Sequence, residues 1–307
     1  MNYYMHESGK LWQTEIPKEA ELSVALGCFD GVHIGHQALI DEVKRSEGLI
    51  PAVWTFSAPL TVPYIEKVED RIKLCAGYGI RYAICETFER FKSMTPAEFV
   101  SYLATCFNVK RIVCGEDFRF GKDREGDVAV LKAECDKAGI VVTVVASVYT
   151  ELDGEQVKVS STLIRQLISD GRVDDASRLL GRRFAVSGVV VNGNNLGRTI
   201  QVPTLNQRLE PCRIMPKNGV YNTVCVVNGS KYPSITNVGT RPTVLTGSHE
   251  KNCETHIIGE KLDLYGEIAS VEFFRYVREE RKFESLEALR EQIASDIESS
   301  VRYFGEK

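Results

Sequence analysis

Histidine is scarce in this chain, with five among 307 residues, and tryptophan scarcer, with two. No apolar run approaches the ~20 residues that a membrane-spanning helix needs, so no membrane partner is expected. A basic excess is missing too: 38 Lys and Arg stand against 42 Asp and Glu, a net charge of −4. Coating a nucleic acid requires a basic surface that releases counterions, so no nucleic-acid partner is expected. The N-terminal MNYYMHESGKLW has no basic segment leading into an apolar one, and no secretory signal is expected. Nine cysteines are scattered (28, 75, 85, 106, 114, 135, 212, 225, 253) without one CxxC pair. Reduced thiols in a cytoplasmic protein fit that pattern better than a disulfide framework or a zinc site. Hydrophobic content of 43% and charged content of 26% are ordinary for a globular protein, and the length suits two domains.

Two kinds of pattern are present, one after the other. Up to about residue 180, short apolar runs alternate with helical patterns, as in α/β units around a parallel sheet. LSVALG (22–27), AVWTF (52–56), RYAIC (81–85), RIVCG (111–115) and IVVTVVASV (140–148) read as strands. Helices are expected over 37–47, from Thr95 (a capping box with Pro96 and Glu98), over 127–138, 161–170 and 173–180. After Gly181 helical patterns vanish for roughly a hundred residues. FAVSGVVV (184–191), GVYNTVCVV (219–227), SITNVG (234–239), CETHII (253–258) and IASVEFFRYV (268–277) are β-type runs separated by Asn-Gly turns. They predict a small antiparallel barrel or sandwich, closed by an amphipathic helix at SLEALREQIASDIESSVRYF. The expected domains are 1–182 and 183–307.

Two of the five histidines fall in GCFDGVHIGH (27–36), between an expected strand and an expected helix. That turn lies at the carboxyl end of a parallel strand, where open α/β sheets bind ligands. A helix N-terminus offers unpaired N–H groups to a phosphate. Gly31 and Gly35 allow close backbone approach, and His33 and His36 add donors whose charge responds to pH near neutrality. A solvated turn, or metal ligation by the two histidines with Asp30, also fits these residues. KVSSTLIRQLI (158–168) places Ser160, Ser161, Thr162 and Arg165 at a helix start, suited to capping or to a polyphosphate.

GCFDGVHIGH resembles the first signature of the nucleotidyltransferase superfamily, and its HIGH is shared with class I aminoacyl-tRNA synthetases. The run from Lys158 resembles the second signature, ISSTxIR. CGEDFRFGKDREGDVAVL (114–131) and LLGRRF (179–184) resemble bacterial flavin adenylyltransferases. The second half resembles riboflavin kinases in LGRTIQVPTLNQ (196–207), PKNGVYNTVCV (216–226), TNVGTRPTV (236–244), CETHI (253–257), LDLYGEIASVEF (262–273) and REERKFESLEALREQIASDI (278–297). The whole is similar to the bacterial-type bifunctional riboflavin kinase/FAD synthetase family.

That resemblance implies a Rossmann-like α/β nucleotidyltransferase domain followed by a small antiparallel β-barrel with a C-terminal helix. It implies ATP-dependent phosphorylation of riboflavin to FMN and adenylylation of FMN to FAD, with Mg²⁺ accompanying ATP. In the first domain it implies phosphate stabilisation by His33 and His36. ATP contacts would come from Gly27, Phe29, Asp30, Gly31, Gly35, Ser160, Ser161, Thr162 and Arg165. Flavin contacts would come from Asp117, Phe118 and Phe120. In the second it implies Glu254 as base and ATP contacts from Gly197, Arg198, Pro203, Thr204 and Asn206. Thr204 and Asn206 would hold the metal, and Arg278 the flavin. No obligate protein partner is apparent. Departures are Gln201 and Val202, where the kinases carry Gly and Phe, and TFSAPL (55–60), where the adenylyltransferases carry TFxPHP. Other readings are an amino-acid-activating enzyme, a monofunctional FAD synthetase, and a flavin-binding regulator with an impaired kinase half.

Overall fold

The computed structural model describes residues 2–7, 10–13, 16–56, 63–191, 202–210, 212–242, 249–260 and 262–305, with backbone only at 2–7, 10–13, 88, 241–242 and 249–250. The departures at Gln201 and in residues 57–60, and the expected contacts Gly197 and Arg198, lie outside the described residues. Packing divides the chain into two compact units, Met1–Ser161 and Thr162–Lys307.

The first unit is built on a seven-stranded sheet. Its strands are β1 (Asn2–Glu7), β2 (Lys10–Gln13), β3 (Leu22–Leu26), β4 (Ile50–Phe56), β5 (Tyr82–Glu86), β6 (Val109–Gly115) and β7 (Val141–Val145). The order is β2-β1-β5-β4-β3-β6-β7. The five strands β5-β4-β3-β6-β7 are parallel, and β1 and β2 add an antiparallel edge. The order reverses direction at β3, whose neighbours β4 and β6 leave to opposite sides. This is the doubly wound arrangement, and its ligand crevice lies outside the carboxyl ends of β3 and β6. Burial on both faces explains the predominantly apolar central strands: LSVAL of β3 is buried throughout. The helices are α1 (Ile34–Lys44), α2 (Val68–Gly77), α3 (Phe88–Lys92), α4 (Pro96–Phe107) and α5 (Val128–Lys137). The Thr95 capping box forms as expected, with Glu98 Oε2 accepting from the Thr95 N–H at 2.8 Å. Helix α1 begins three residues earlier than expected, at Ile34, so Gly35 and His36 belong to its first turn.

A hairpin that the sequence pattern did not reveal, β8 (Tyr149–Leu152) with β9 (Glu155–Lys158), precedes α6 (Ser161–Ser169). Lys158 therefore ends a strand rather than opening the helix.

In the second unit, α7 (Val173–Leu180) leads into a closed antiparallel barrel of order β10-β11-β14-β13-β12-β15. The strands are β10 (Ala185–Val191), β11 (Leu205–Arg208), β12 (Gly219–Val227), β13 (Ser230–Pro242), β14 (His249–Ile257) and β15 (Ile268–Arg278). No strand was expected around Leu205, where Pro203 and Thr204 favour turns, yet it supplies β11, pairing Leu205 with Thr255 and Asn206 with Glu254. Inside the barrel, fully buried hydroxyls form a chain: Thr223 bonds Ser234 (2.9 Å) and Thr236 (2.8 Å), and Thr236 bonds Thr255 (2.9 Å). Helix α8 (Leu286–Gly305) is tied to β15 by Arg278, whose Nη2 donates to Asp296 at 2.6 Å.

One contact in the first unit is unusually close. A Cβ added at Gly126 would sit 2.6 Å from the ring of Phe120, itself fully buried against Phe99. Gly126→Ala is expected to destabilise the first unit by about 1–3 kcal/mol through overpacking, read as a lower denaturant midpoint with unchanged slope.

Candidate active sites

Strand β3 delivers the chain to the crevice through a strained turn. Phe29 (φ 53°), Gly31 (φ 80°) and Val32 (φ 39°) all lie at positive φ, closed by the Val32 N–H donating to Phe29 O at 3.0 Å. A β-branched residue at positive φ is rare and persists only where surroundings enforce it. The enforcement is visible. The buried Asp30 carboxylate accepts from the backbone N–H groups of Ile65 (3.0 Å) and Glu66 (3.1 Å). Arg71, 3% exposed, donates to Cys28 O at 2.7 Å and Glu66 O at 3.2 Å, with its Nη2 3.7 Å from Asp30. Thus Asp30 and Phe29, expected to touch nucleotide, have their side chains committed to the fold: Asp30 to this network and Phe29 to the core. Arg71 was missed by the sequence reading. It lies 35 residues beyond His36 in a helix without a motif, and only the fold brings it to the turn.

His33 caps α1: its Nδ1 accepts from the His36 N–H at 3.3 Å. That bond puts the ring proton on Nε2 when the ring is neutral. The rings of His33 and His36 stack at 3.7 Å between centroids. A side chain at Gly35 would meet the His33 ring at 3.2 Å, so glycine is what lets the ring lie over the first turn. Although the His36 ring keeps some accessible surface, its Nδ1 is enclosed without a hydrogen-bond partner. Burial, then His33, then Arg71 hold its pKa well below the usual histidine value. His36 is therefore neutral at physiological pH, which corrects the expectation of a charge that switches near neutrality. Its neutral ring still has one N–H to donate.

The second motif meets the first. Ser161 Oγ donates to Asp30 O at 2.8 Å. From the end of β6, Asp117 is paired with Lys158 at 2.7 Å, and that hydrogen bond lowers its pKa. So the turn after β3, the end of β6 and the segment 158–161 converge at the switch point. Along α6, Arg165 Nη2 donates to Thr162 Oγ1 at 3.3 Å. Of the expected flavin contacts, Phe118 is half-buried, but Phe120 is sealed in the core and offers no face to a ligand. Phe118 stacks on it with centroids 5.5 Å apart.

In the second unit, register decides what shares a face. Asn206 pairs with Glu254, Glu254 with Asn237, Asn237 with Val220, and Val220 with Arg278. Directly paired residues point the same way, so these form one row across five strands. From Glu254 through Asn237 and Val220 to Arg278 the row, with Thr204 and His256, lies along a cavity of about 330 Å³, and Asn206 extends the row beside it; other lining residues include Glu280, Phe283, Leu289 and Ile293. His256 Nδ1 lies 2.8 Å from Pro203 O and therefore donates to it, which fixes its tautomer. Asn252 donates to Glu254 Oε1 at 3.1 Å. Arg278, expected to face flavin, forms the cavity wall with its guanidinium engaged by Asp296. Asn237 and Glu280 were not singled out from sequence; Asn237 Nδ2 donates to Glu280 Oε1 at 3.1 Å. TNVG, quoted as a match, contained the signal for the first. Among the described residues no cluster of three or more His, Cys, Asp or Glu side chains could cage a metal.

Comparison with known proteins follows the same two halves. The FAD synthetase family model matches residues 15–163 and the riboflavin kinase model residues 180–304. The bifunctional riboflavin kinase/FMN adenylyltransferase of Escherichia coli (strain K12) is 36% identical over 296 residues, covering 92% of each chain. The chain belongs to this bifunctional family. The Bacillus subtilis member is 33% identical over 302 residues, 94% of each chain. A solved structure described as a macrolide-efflux protein from Streptococcus pneumoniae superposes with TM-score 0.83 at 32% identity, covering 93% of this chain and 95% of that one. No helix among the described residues is long and apolar enough to cross a membrane.

Two outcomes test the adenylyltransferase-family site. Because folding lowers the His36 pKa, the unfolded chain binds the extra proton first. Stability of the first unit is expected to fall as pH drops below about 6.5, and His36→Gln to flatten that dependence, in chemical denaturation at stepped pH. Arg71→Ala leaves Asp30 buried without its cation and is expected to cost about 3–5 kcal/mol in the same assay.

Proposed function

We propose that this chain makes FMN from riboflavin and FAD from FMN, each at the expense of ATP. The observation that carries the reading is that each half holds its own polar constellation: the switch-point turn in one, the cross-strand row in the other. We assign residues 1–182 to adenylyl transfer and 183–307 to phosphorylation. The cytoplasm suits nine cysteines that are all free thiols.

In the first domain, a phosphate oxygen of FMN attacks the α-phosphorus of ATP; the new P–O bond forms as the bond to the bridging oxygen of pyrophosphate breaks. Little covalent chemistry falls to the protein, which positions the phosphates and stabilises charge. The N–H groups at the start of α1 face developing negative charge without needing protonation. His36 donates as a neutral ring, and His33 donates through Nε2. Ser160, Ser161, Thr162 and Arg165 hold the β- and γ-phosphates. Gly27, Gly31 and Gly35 keep the backbone close, while Asp30 and Phe29 act by shaping the turn. Asp117 and Phe118 flank the flavin.

In the second domain, Glu254 accepts the proton of riboflavin's terminal ribityl hydroxyl as its oxygen attacks the γ-phosphorus and ADP leaves. The Thr204 hydroxyl and the Asn206 amide oxygen are hard donors. They suit Mg²⁺, which retains most of its waters and needs no all-protein cage. When bound, the ion neutralises phosphate charge. Pro203 fixes the segment through His256. A kinase half without activity is not favoured, because Thr204 and Glu254 line one cavity and Asn206 pairs with Glu254 on the neighbouring strand. An amino-acid-activating enzyme would leave that cavity without a role.

Incubation with riboflavin, ATP and Mg²⁺, resolved by chromatography, is expected to yield both FMN and FAD. His36→Ala should lower FAD formation by about 10²–10³-fold and spare FMN, the scale of losing one preorganised donor. Glu254→Gln should abolish FMN formation from riboflavin while FAD still forms from supplied FMN. Equal loss of both steps from either change would refute separate sites.

A further inference from the structure

A second cavity of about 320 Å³ lies along the same terminal helix as the Glu254 cavity. Leu289, Ile293 and Asp296 of α8 line the first; Ser299, Arg302 and Tyr303, one to two turns on, line the second. Its floor is Asn222 of β12, directly opposite Arg275 of β15. Asn222 is 2% exposed and its Oδ1 is enclosed with no hydrogen-bond partner. Burying an amide without satisfying it is costly, so such a group marks a place that a ligand completes. No carboxylate lines the cavity. Among the described residues neither Arg275 nor Arg302 is in an ion pair, while Arg278, three residues on, is tightly paired. Arg275 lies over the Tyr303 ring, 6.0 Å from its centroid.

We propose that this cavity binds an oxyanion of the phosphate class, distinct from either substrate site. Two guanidiniums supply forked donors to its oxygens. The Asn222 amide serves it in either orientation: Nδ2 donates to an unprotonated oxygen, and Oδ1 accepts from a P–OH group. A lining with two arginines, one amide and one serine hydroxyl suits phosphate, pyrophosphate or the terminal phosphate of a nucleotide. The bound group ties β12 and β15 to the last turns of α8, beyond the Arg278–Asp296 clamp. This inference stands independently of the catalytic assignment.

Arginine-selective labelling of the full chain with phenylglyoxal, mapped by peptide mass spectrometry at matched ionic strength, tests it. Pyrophosphate is expected to slow labelling of Arg275 and Arg302 several-fold and leave Arg290, exposed on the same helix and outside the cavity, unchanged. Protection by phosphate or pyrophosphate identifies the free anion as ligand; protection by ADP alone identifies a nucleotide-borne phosphate. Arg302→Gln, at an exposed position, is expected to weaken protection of Arg275 about tenfold, the worth of one charge-assisted contact. Asn222→Leu should abolish protection at both arginines. Labelling that no anion slows, equal slowing at Arg290, or protection unchanged in Arg302→Gln would overturn the proposal.

Discussion

The adenylyltransferase half depends on a charge pair that no solvent reaches. Asp30 and Arg71 are 1% and 3% exposed, and between them they fix the backbone of Cys28, Ile65 and Glu66. Burying such a pair costs desolvation energy that only good geometry and further hydrogen bonds offset. Here the extra bonds go to the main chain of Cys28 in the turn and of Ile65 and Glu66 beside it, and together they hold φ values that Phe29 and Val32 would otherwise leave. The stacked imidazoles of His33 and His36 rest on the turn that this network holds.

The barrel solves a similar problem with neutral groups. Its site row needs no buried charge pair, because antiparallel register alone sets Asn206, Glu254 and Asn237 side by side. Closure fixes that register, since a slip of one residue would turn every member of the row to the opposite face. At the end of the row, Arg278 is paired with Asp296, which holds α8 against β15.

Much of this was legible in the order of residues. Gly-Cys-Phe-Asp-Gly-Val-His and the 158–165 run identified the crevice because chemistry that depends on consecutive residues survives as a string. The strands announced themselves by unbroken apolar runs, and α4 by its cap. What escaped depends on contacts between distant segments. Arg71 stands in a stretch, 68–77, where no helix was expected and no motif marks it. Phe120 was assigned to the flavin because a local pattern cannot show that Gly126 and Phe99 enclose it. The short β11 was hidden by the Pro and Thr preceding it, which favour turns. The state of His36 was misjudged because its ordinary pKa is a property of water, and its surroundings here are a buried neighbour ring and Arg71.

The hydroxyl chain through the barrel centre carries an evolutionary consequence. Thr223, Ser234, Thr236 and Thr255 each rely on the next for a partner. Replacing one with an aliphatic residue strands its neighbour, whereas replacing partners together is nearly neutral. These four positions are therefore expected to change in concert along a lineage, as a linked block crossing three strands, and single drift at any of them to be purged.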